Sequence, residues 1–233
     1  MTIQALIFDF DGLILDTETV EFELVDELYR EHGHQLRRAR WVLNLGTHGQ
    51  IDLYADLAAL VGRPLDLAGL RERQRTRYLA RCDALALRPG LADLLNAARA
   101  RGLALAVASS SGSGWVERWL ERHSIRPYFG CVRTSEHVRH VKPAPDLFLS
   151  AAAGLGIAPE HCVVFEDSPN GMRAAAAAGM RCVAVPIALM AGYELPPVTL
   201  QLGLLSDITL DELLARLDAV TGSNGSSGYS DPT

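Results

Sequence analysis

Four short runs of consecutive apolar residues punctuate the chain, at 5–8, 103–108, 162–165 and 182–185. Each is too short for a buried helix and does not alternate with polar residues. That pattern predicts strands covered on both faces, as in a parallel sheet. Between and after them the apolar positions recur every three or four residues, at 91–95, 115–120, 147–155 and 172–178, which predicts helices. Strand and helix in alternation predict βαβ units and a doubly wound, Rossmann-like α/β domain. Local punctuation agrees. Ser168-Pro169 offers an N-cap hydroxyl before a first-turn proline, and Gly179 follows the alanine-rich helix where a left-handed residue is wanted. Thr209-Leu210-Asp211-Glu212 has the spacing of a capping box ahead of an amphipathic last helix.

Residues 16–88 break the alternation. Val20, Leu24, Val25, Leu28 and Tyr29 share a helical face, 51–60 and 67–79 also read as helices, and no comparable strand occurs there. The expected organisation is an α/β core from 1–15 and 89–220, an all-helical insertion at 16–88 with Arg88-Pro89-Gly90 as the return, and a flexible linker-like tail at 221–233.

Composition adds exclusions. The chain has 233 residues, 48% of them apolar, enough for one substantial core. A formal charge of −6 argues against nucleic acid or an anionic membrane as the main partner, and no apolar run is long enough to span a bilayer. Cys82, Cys131, Cys162 and Cys182 show no CxxC spacing, so free thiols in a reducing compartment, the cytoplasm, are expected.

Candidate chemistry collects where predicted strands end, the ligand-binding edge of open α/β sheets. Asp9 and Asp11 follow the first strand and point to one side of an extended chain, although two solvated aspartates in a turn would look the same. Ser109-Ser110-Ser111-Gly112 follows the second, where hydroxyls and free N–H groups suit an anion or merely form a polar turn. Glu166-Asp167 follows the third. Two acids brought close to Asp9 need a cation, and hard oxygen ligands select Mg²⁺. Of the 22 Lys and Arg residues only Lys142 is lysine, which suggests a site where a compact ammonium serves and a planar guanidinium does not.

In this order, Asp9-x-Asp11-Gly12, Ser109, Lys142-Pro143 and Glu166-Asp167 resemble the four motifs of the haloacid dehalogenase-like phosphatases. The strings Phe8-Asp9-Phe10-Asp11-Gly12-x3-Asp16-Thr17 and Glu166-Asp167-Ser168-x-Asn170-Gly171 are similar to the subgroup with a helical cap between the first two motifs, and the likeness covers about residues 3–220. The resemblance implies an aspartyl-phosphate formed on Asp9, with Asp11 as general acid and then base. It implies Mg²⁺ held by Asp9, the Asp11 carbonyl and Asp167, with Glu166 a direct or water-bridged ligand. Ser109, Ser110 and Lys142 would bind phosphate, Thr17 would sit at the cap hinge, and the chain would be a monomer or weak homodimer. Glu21, Asn44 and His48 are the candidates for contacts to the substrate, expected to be a small phosphorylated metabolite such as a sugar phosphate.

Three rivals remain. β-Phosphoglucomutase-like enzymes usually carry a His where this chain has Glu21, and Gly-x-Ser-Arg where it has Gly46-Thr47-His48-Gly49, so the phosphate-gripping Arg is missing. A response-regulator receiver, a signalling module, shares the residue types, but its phospho-accepting Asp follows a middle strand and it has no place for an insertion at 16–88. An inactive family member that only binds would keep its ligand after Asp9→Asn. Seven arginines between residues 63 and 88 would attract phosphorylated ligands or simply form a solvated face.

Overall fold

The computed structural model describes residues 2–47 and 51–223, so His48 and the tail from residue 224 lie outside the described residues. In chain order the elements are β1 (Ala5–Phe8), α1 (Thr17–Glu31), α2 (Arg38–Trp41), α3 (Leu53–Val61), α4 (Leu67–Cys82), α5 (Leu91–Ala100), β2 (Ala104–Ala108), α6 (Ser113–Arg122), β3 (Cys131–Arg133), α7 (Asp146–Leu155), β4 (Cys162–Glu166), α8 (Pro169–Ala177), β5 (Arg181–Ala184), β6 (Leu200–Gln201) and α9 (Leu210–Ser223).

The strands form one parallel sheet in the order β3-β2-β1-β4-β5-β6. This is the doubly wound α/β arrangement, and its strand order reverses direction between β1 and β4. The strands β1, β2, β4 and β5 are buried on both faces, as consecutive apolar residues require. Leu6 and Phe8 of β1 join Leu105, Val107, Val163 and Phe165 in a core with α5, α6 and α9. Ala5 and Ile7 face the other way, with Ala106, Ala108 and Val164, against α7 and α8. The registered pair Phe8 and Phe165 stacks at 4.8 Å, fixing the central two strands against each other.

Two strands escape the apolar pattern. β3 and β6 are edge strands of three and two residues, too short to carry a periodic signal. The four-residue α2 is missed for the same reason. The punctuation holds: Ser168 accepts from the Gly171 N–H, Gly179 adopts φ +70°, and Thr209 and Glu212 cap each other reciprocally. α9 runs on to Ser223, so the helix enters the stretch whose composition reads as linker. All four cysteines are free and buried. No helix among the described residues is long and apolar enough to cross a membrane.

The described part of 16–88 is helical, with no strand among its described residues. It leaves and re-enters the core side by side, the Arg88 N–H donating to the Ile14 carbonyl at 3.0 Å. Its own small core joins Val25, Leu28, Tyr29, Leu36, Trp41, Leu53 and Leu57. The arginine-rich face of α4 is matched to acids on α1: Arg73 meets Glu31, Arg77 meets Glu27, and Arg81 meets Glu27 and Glu23. These half-exposed pairs fasten two helices together. Of the seven arginines, Arg73, Arg77 and Arg81 are thus occupied in pairing α4 with α1, whereas Arg88 is buried and Arg71 lines a cavity next to the cleft.

Candidate active site

Asp9 is the first residue beyond β1, and Glu166 and Asp167 close β4, so the strand-order reversal brings the three acids to one point. One carboxylate oxygen from each lies within 4.8 Å of the others. All three side chains are buried. Such a cluster is costly unless cations answer it.

Lys142 is one answer. Its side chain is fully buried, its Nζ lies 2.5 Å from Asp9 Oδ1 and 2.6 Å from Glu166 Oε1, and the Phe148 ring closes the third side at 4.9 Å. Burial alone would lower the ammonium's pKa, but Asp9 and Glu166 outweigh it and hold it above the ordinary lysine value. A planar guanidinium needs more width than this three-walled slot gives, the physical counterpart of one lysine in an arginine-rich chain.

One cation is not enough for three acids. Burial pushes the Asp9 carboxyl up to about 8, Glu166 adding to the push and Lys142 opposing it. Burial, then Glu166 and Asp9, hold Asp167 well above the carboxylate range. Both Asp167 oxygens are buried without a hydrogen-bond partner, the kind of orphan that marks a ligand position. Glu166 differs. Its Oε1 takes Lys142, and its Oε2 takes the Ser168 N–H and hydroxyl, both at 2.9 Å. The donor set is all carboxylate oxygen, which fits a hard divalent cation, with Asp9 and Asp167 the oxygens free to turn toward it.

Two glycines make room for this geometry. Gly12 has φ +81°, and a Cβ there would run into the Asp167 carboxylate; a Cβ on Gly171 would run into that of Glu166. Gly12→Ala should therefore displace Asp167 and strain the backbone, lowering Tm by several degrees and abolishing any Tm gain from added Mg²⁺. A variant that keeps the wild-type metal response would contradict this placement. Arg88 supports the same turn, donating to the carbonyls of Gly12 and Val185.

Asp11 is clamped by three donors: Thr17 Oγ1 at 2.8 Å and Trp115 Nε1 at 2.9 Å on Oδ1, and Ser111 Oγ at 2.5 Å on Oδ2. Thr17 opens α1, so it joins the acid to the first turn of the insertion. Ser109 is buried, and its hydroxyl accepts from the Ser111 N–H. Ser110 reaches the insertion, donating to the Gly46 carbonyl at 3.0 Å, while Asn170 donates to the Leu45 carbonyl at 2.9 Å. The insertion thus sits on the rim of the site.

Asp9, Asp11, Ser109, Ser110 and Ser111 line a cleft of about 270 Å³ with Glu18, Glu21, Thr47, Tyr78 and Trp115. A second cavity of about 440 Å³ adjoins it, sharing Glu18, Glu21 and Thr47 and adding Asn44, Tyr54 and Arg71. Lys142, Glu166 and Asp167 stand behind the cleft floor. Glu21 lies at the solvent mouth, where desolvation in the cleft and the Asp11 charge raise its carboxyl to about 7. Burial, then Glu21 and Asp11, push Glu18 well above its ordinary value. The Asn44 amide donates one N–H to the Ile51 carbonyl and accepts from the Ile51 N–H, so it ties its loop together, and its second N–H is left for the adjoining cavity that it lines. His48 lies outside the described residues.

Sequence reasoning missed Glu18, Tyr78, Trp115, the contact of Ser111 with Asp11 and the anchoring role of Arg88. Glu18 sits next to Thr17, which was singled out, and Ser111 was named only as part of a possible anion site. Tyr78 and Trp115 read as ordinary apolar positions on helices and carried no signal of their own.

An acid-rich cleft with one buried ammonium at the switch point of a parallel sheet defines an enzyme that handles an anionic group. The family model of the haloacid dehalogenase-like hydrolases matches residues 3–179, and the chain belongs to this family. It is 43% identical to YhcW of Bacillus subtilis (strain 168) over 184 residues, 79% of this chain and 84% of that protein. It is 36% identical to the fructose-1-phosphate phosphatase YqaB of Escherichia coli (strain K12) over 197 residues, 77% of this chain and 95% of that one. A crystal structure of a CbbY variant from Rhodobacter sphaeroides in complex with xylulose-(1,5)bisphosphate superposes with a TM-score of 0.70 at 29% identity, covering 91% of this chain and 99% of that one. The chain is a phosphoric monoester hydrolase of this family.

Proposed function

We propose that the enzyme is a Mg²⁺-dependent phosphatase of small phosphorylated metabolites, with a sugar or polyol monophosphate as the preferred class, working through an aspartyl-phosphate on Asp9. The observation that carries this reading is the Lys142 ammonium shared by Asp9 and Glu166 beside the bare carboxylate of Asp167.

The chain's residues divide the work. Asp9 attacks phosphorus, its oxygen–phosphorus bond forming as the bond to the leaving alcohol breaks. Asp11 gives the alcohol its proton and then takes one from the water that hydrolyses the acyl phosphate. Lys142 and the Ser109 hydroxyl stabilise charge on the equatorial phosphoryl oxygens. Asp9, the Asp11 carbonyl and Asp167 would hold Mg²⁺, with Glu166 fixing Lys142 and the Ser168 turn. When bound, the ion supplies charge neutralisation between two anions that otherwise repel.

The substrate class follows from the walls. The cleft, at about 270 Å³, falls just below the roughly 300–1,000 Å³ typical of ligand sites, and the insertion overhangs it, so a folded phosphoprotein does not fit. Its described lining has Glu18 and Glu21 and no cation. Arg71 in the adjoining cavity is paired with Asp52 at 2.7 Å. Among the described residues lining the two cavities, Arg71 is therefore the one cation and it is already ion-paired, whereas sugar hydroxyls find acceptors. This argues for a monophosphate and against the mutase reading, which needs a second phosphate held. The relatives named above, for a fructose phosphate and with a bound xylulose bisphosphate, support the sugar class. Cytoplasmic location and a monomer or weak dimer belong to the same reading.

Phosphate release from sugar phosphates, sugar bisphosphates, phosphoglycolate, nucleotides and a phosphopeptide, with Mg²⁺ and with EDTA, tests the proposal. The expected result is Mg²⁺-dependent release from monophosphates of sugars or polyols. Equal turnover of the phosphopeptide would contradict the substrate class. Metal-independent release would contradict the metal.

The acid cluster also predicts how metal and pH interact. Asp9 and Asp167 titrate higher folded than unfolded, so between about pH 4 and 8 the folded state binds more protons and the metal-free protein loses stability as pH rises. Mg²⁺ competes with those protons. Its Tm gain should therefore be larger at pH 8 than at pH 5.5, and binding at pH 7 should release protons, visible as a buffer-dependent enthalpy in calorimetry.

A further inference from the structure

We propose that Trp115 is a positioning residue for Asp11, selecting which of its two oxygens carries the working proton, an inference that rests on the phosphatase reading of the site. Oδ1 of Asp11 accepts from Trp115 Nε1 at 2.9 Å and from Thr17 at 2.8 Å, while Oδ2 meets only the Ser111 hydroxyl. An indole N–H donates and never accepts. Hydroxyls of Ser and Thr can turn and do either. Oδ1 facing Trp115 is therefore fixed as an acceptor, and a proton on Asp11 belongs on Oδ2, with Ser111 rotating to make way. As the bond from Asp9 to phosphorus forms and the phosphorus–alcohol bond breaks, that Oδ2 proton passes to the departing oxygen.

The indole is itself held. Tyr78 of α4 stacks on it at 5.3 Å with the rings 15° from parallel, and Trp119 packs edge-on against it at 5.3 Å. Tyr78 belongs to the insertion and Trp115 to the core, so the seating of the helical layer over the cleft sets the ring that sets Asp11. Both aromatics line the cleft. Their place there is otherwise that of a plain apolar wall, and the 2.9 Å contact to the acid is what an apolar wall would lack.

Trp115→Phe keeps an aromatic ring for Tyr78 to stack on and removes the N–H together with part of the ring volume, so the comparison between substrates and not the overall loss of rate carries the test. The test is the first-turnover rate of leaving-group release, compared between an alkyl phosphate, the best sugar phosphate of the panel, and 4-nitrophenyl phosphate, whose leaving group departs without a proton. Misplacing a general acid costs about 10- to 100-fold. The expected result is a fall of that size for the sugar phosphate, KM within about twofold, and little change for the aryl ester. Tyr78→Ala should give the same pattern more weakly. Equal losses on both substrates would show a merely structural ring, and no loss on either would show an idle one; both overturn the proposal. A readout independent of turnover separates this from failure of the phosphatase reading. In ¹⁵N-labelled protein the Trp115 indole N–H resonance, assigned by its loss in Trp115→Phe, should move on Asp11→Ala. A resonance that stays put overturns the contact, whereas a wild type that releases no phosphate from any ester while that resonance moves overturns the phosphatase reading instead.

Discussion

Asp9→Asn is expected to abolish turnover, by about 10⁴-fold or more, while leaving the fold intact. The amide keeps the shape of the carboxylate and can still accept from Lys142, so packing at the end of β1 survives. What disappears is the oxygen nucleophile. One negative charge also leaves a cluster in which burial already holds the Asp9 carboxyl near 8. The metal-free variant should therefore melt no lower than wild type, and at pH 8 slightly higher. Phosphate-release assays and thermal melts on the same preparation check both halves. Retained turnover would remove Asp9 from the chemistry, and ligand binding with no activity in either protein would revive the binding-only alternative.

Lys142→Met is expected to damage stability and catalysis together. The thioether fills much of the same volume but leaves Asp9 and Glu166 buried without the ammonium they share. Removing one partner of a buried ion pair costs about 3–5 kcal/mol. Here protonation of the acids relieves part of it, so the loss of Tm should be larger at pH 8 than at pH 5.5. Turnover should fall by about 10²–10³-fold from the missing charge on the phosphoryl oxygens. Lys142→Arg should not rescue it, because the slot between Asp9, Glu166 and the Phe148 ring is cut for a point charge. A variant that restores turnover with Arg would mean that only charge, and not shape, matters there.

Much of this site was legible because its residues stand at strand ends, and strand ends follow from apolar runs. Asp9, Ser109 and Glu166-Asp167 each come directly after a continuous apolar run, and parallel pairing of β1 with β2 and β4 then brings them together. Lys142 lies on no strand and was visible only through its isolation among arginines. Trp115 and Tyr78 show the limit of such reading. Each looks like one more apolar residue on an amphipathic helix, and only the docking of α4 against α6 puts one ring on the other and an indole N–H on Asp11. The edge strands β3 and β6 were hidden for a different reason, since two or three residues cannot display a period. Asn44 shows that a polar residue near the cleft can also be needed to hold its own loop.

In the proposed mechanism Asp9 takes the phosphoryl group. The direct measurement is an acid quench within the first turnover of a good substrate, followed by digestion and mass spectrometry of the peptide spanning Asp9. A fraction of this peptide is expected to carry one added phosphoryl group, labile to base, absent in Asp9→Asn and absent when Mg²⁺ is removed before mixing. Phosphate released at the full wild-type rate with no phosphoryl group on Asp9 at any quench time, under conditions that slow the second step, would contradict it.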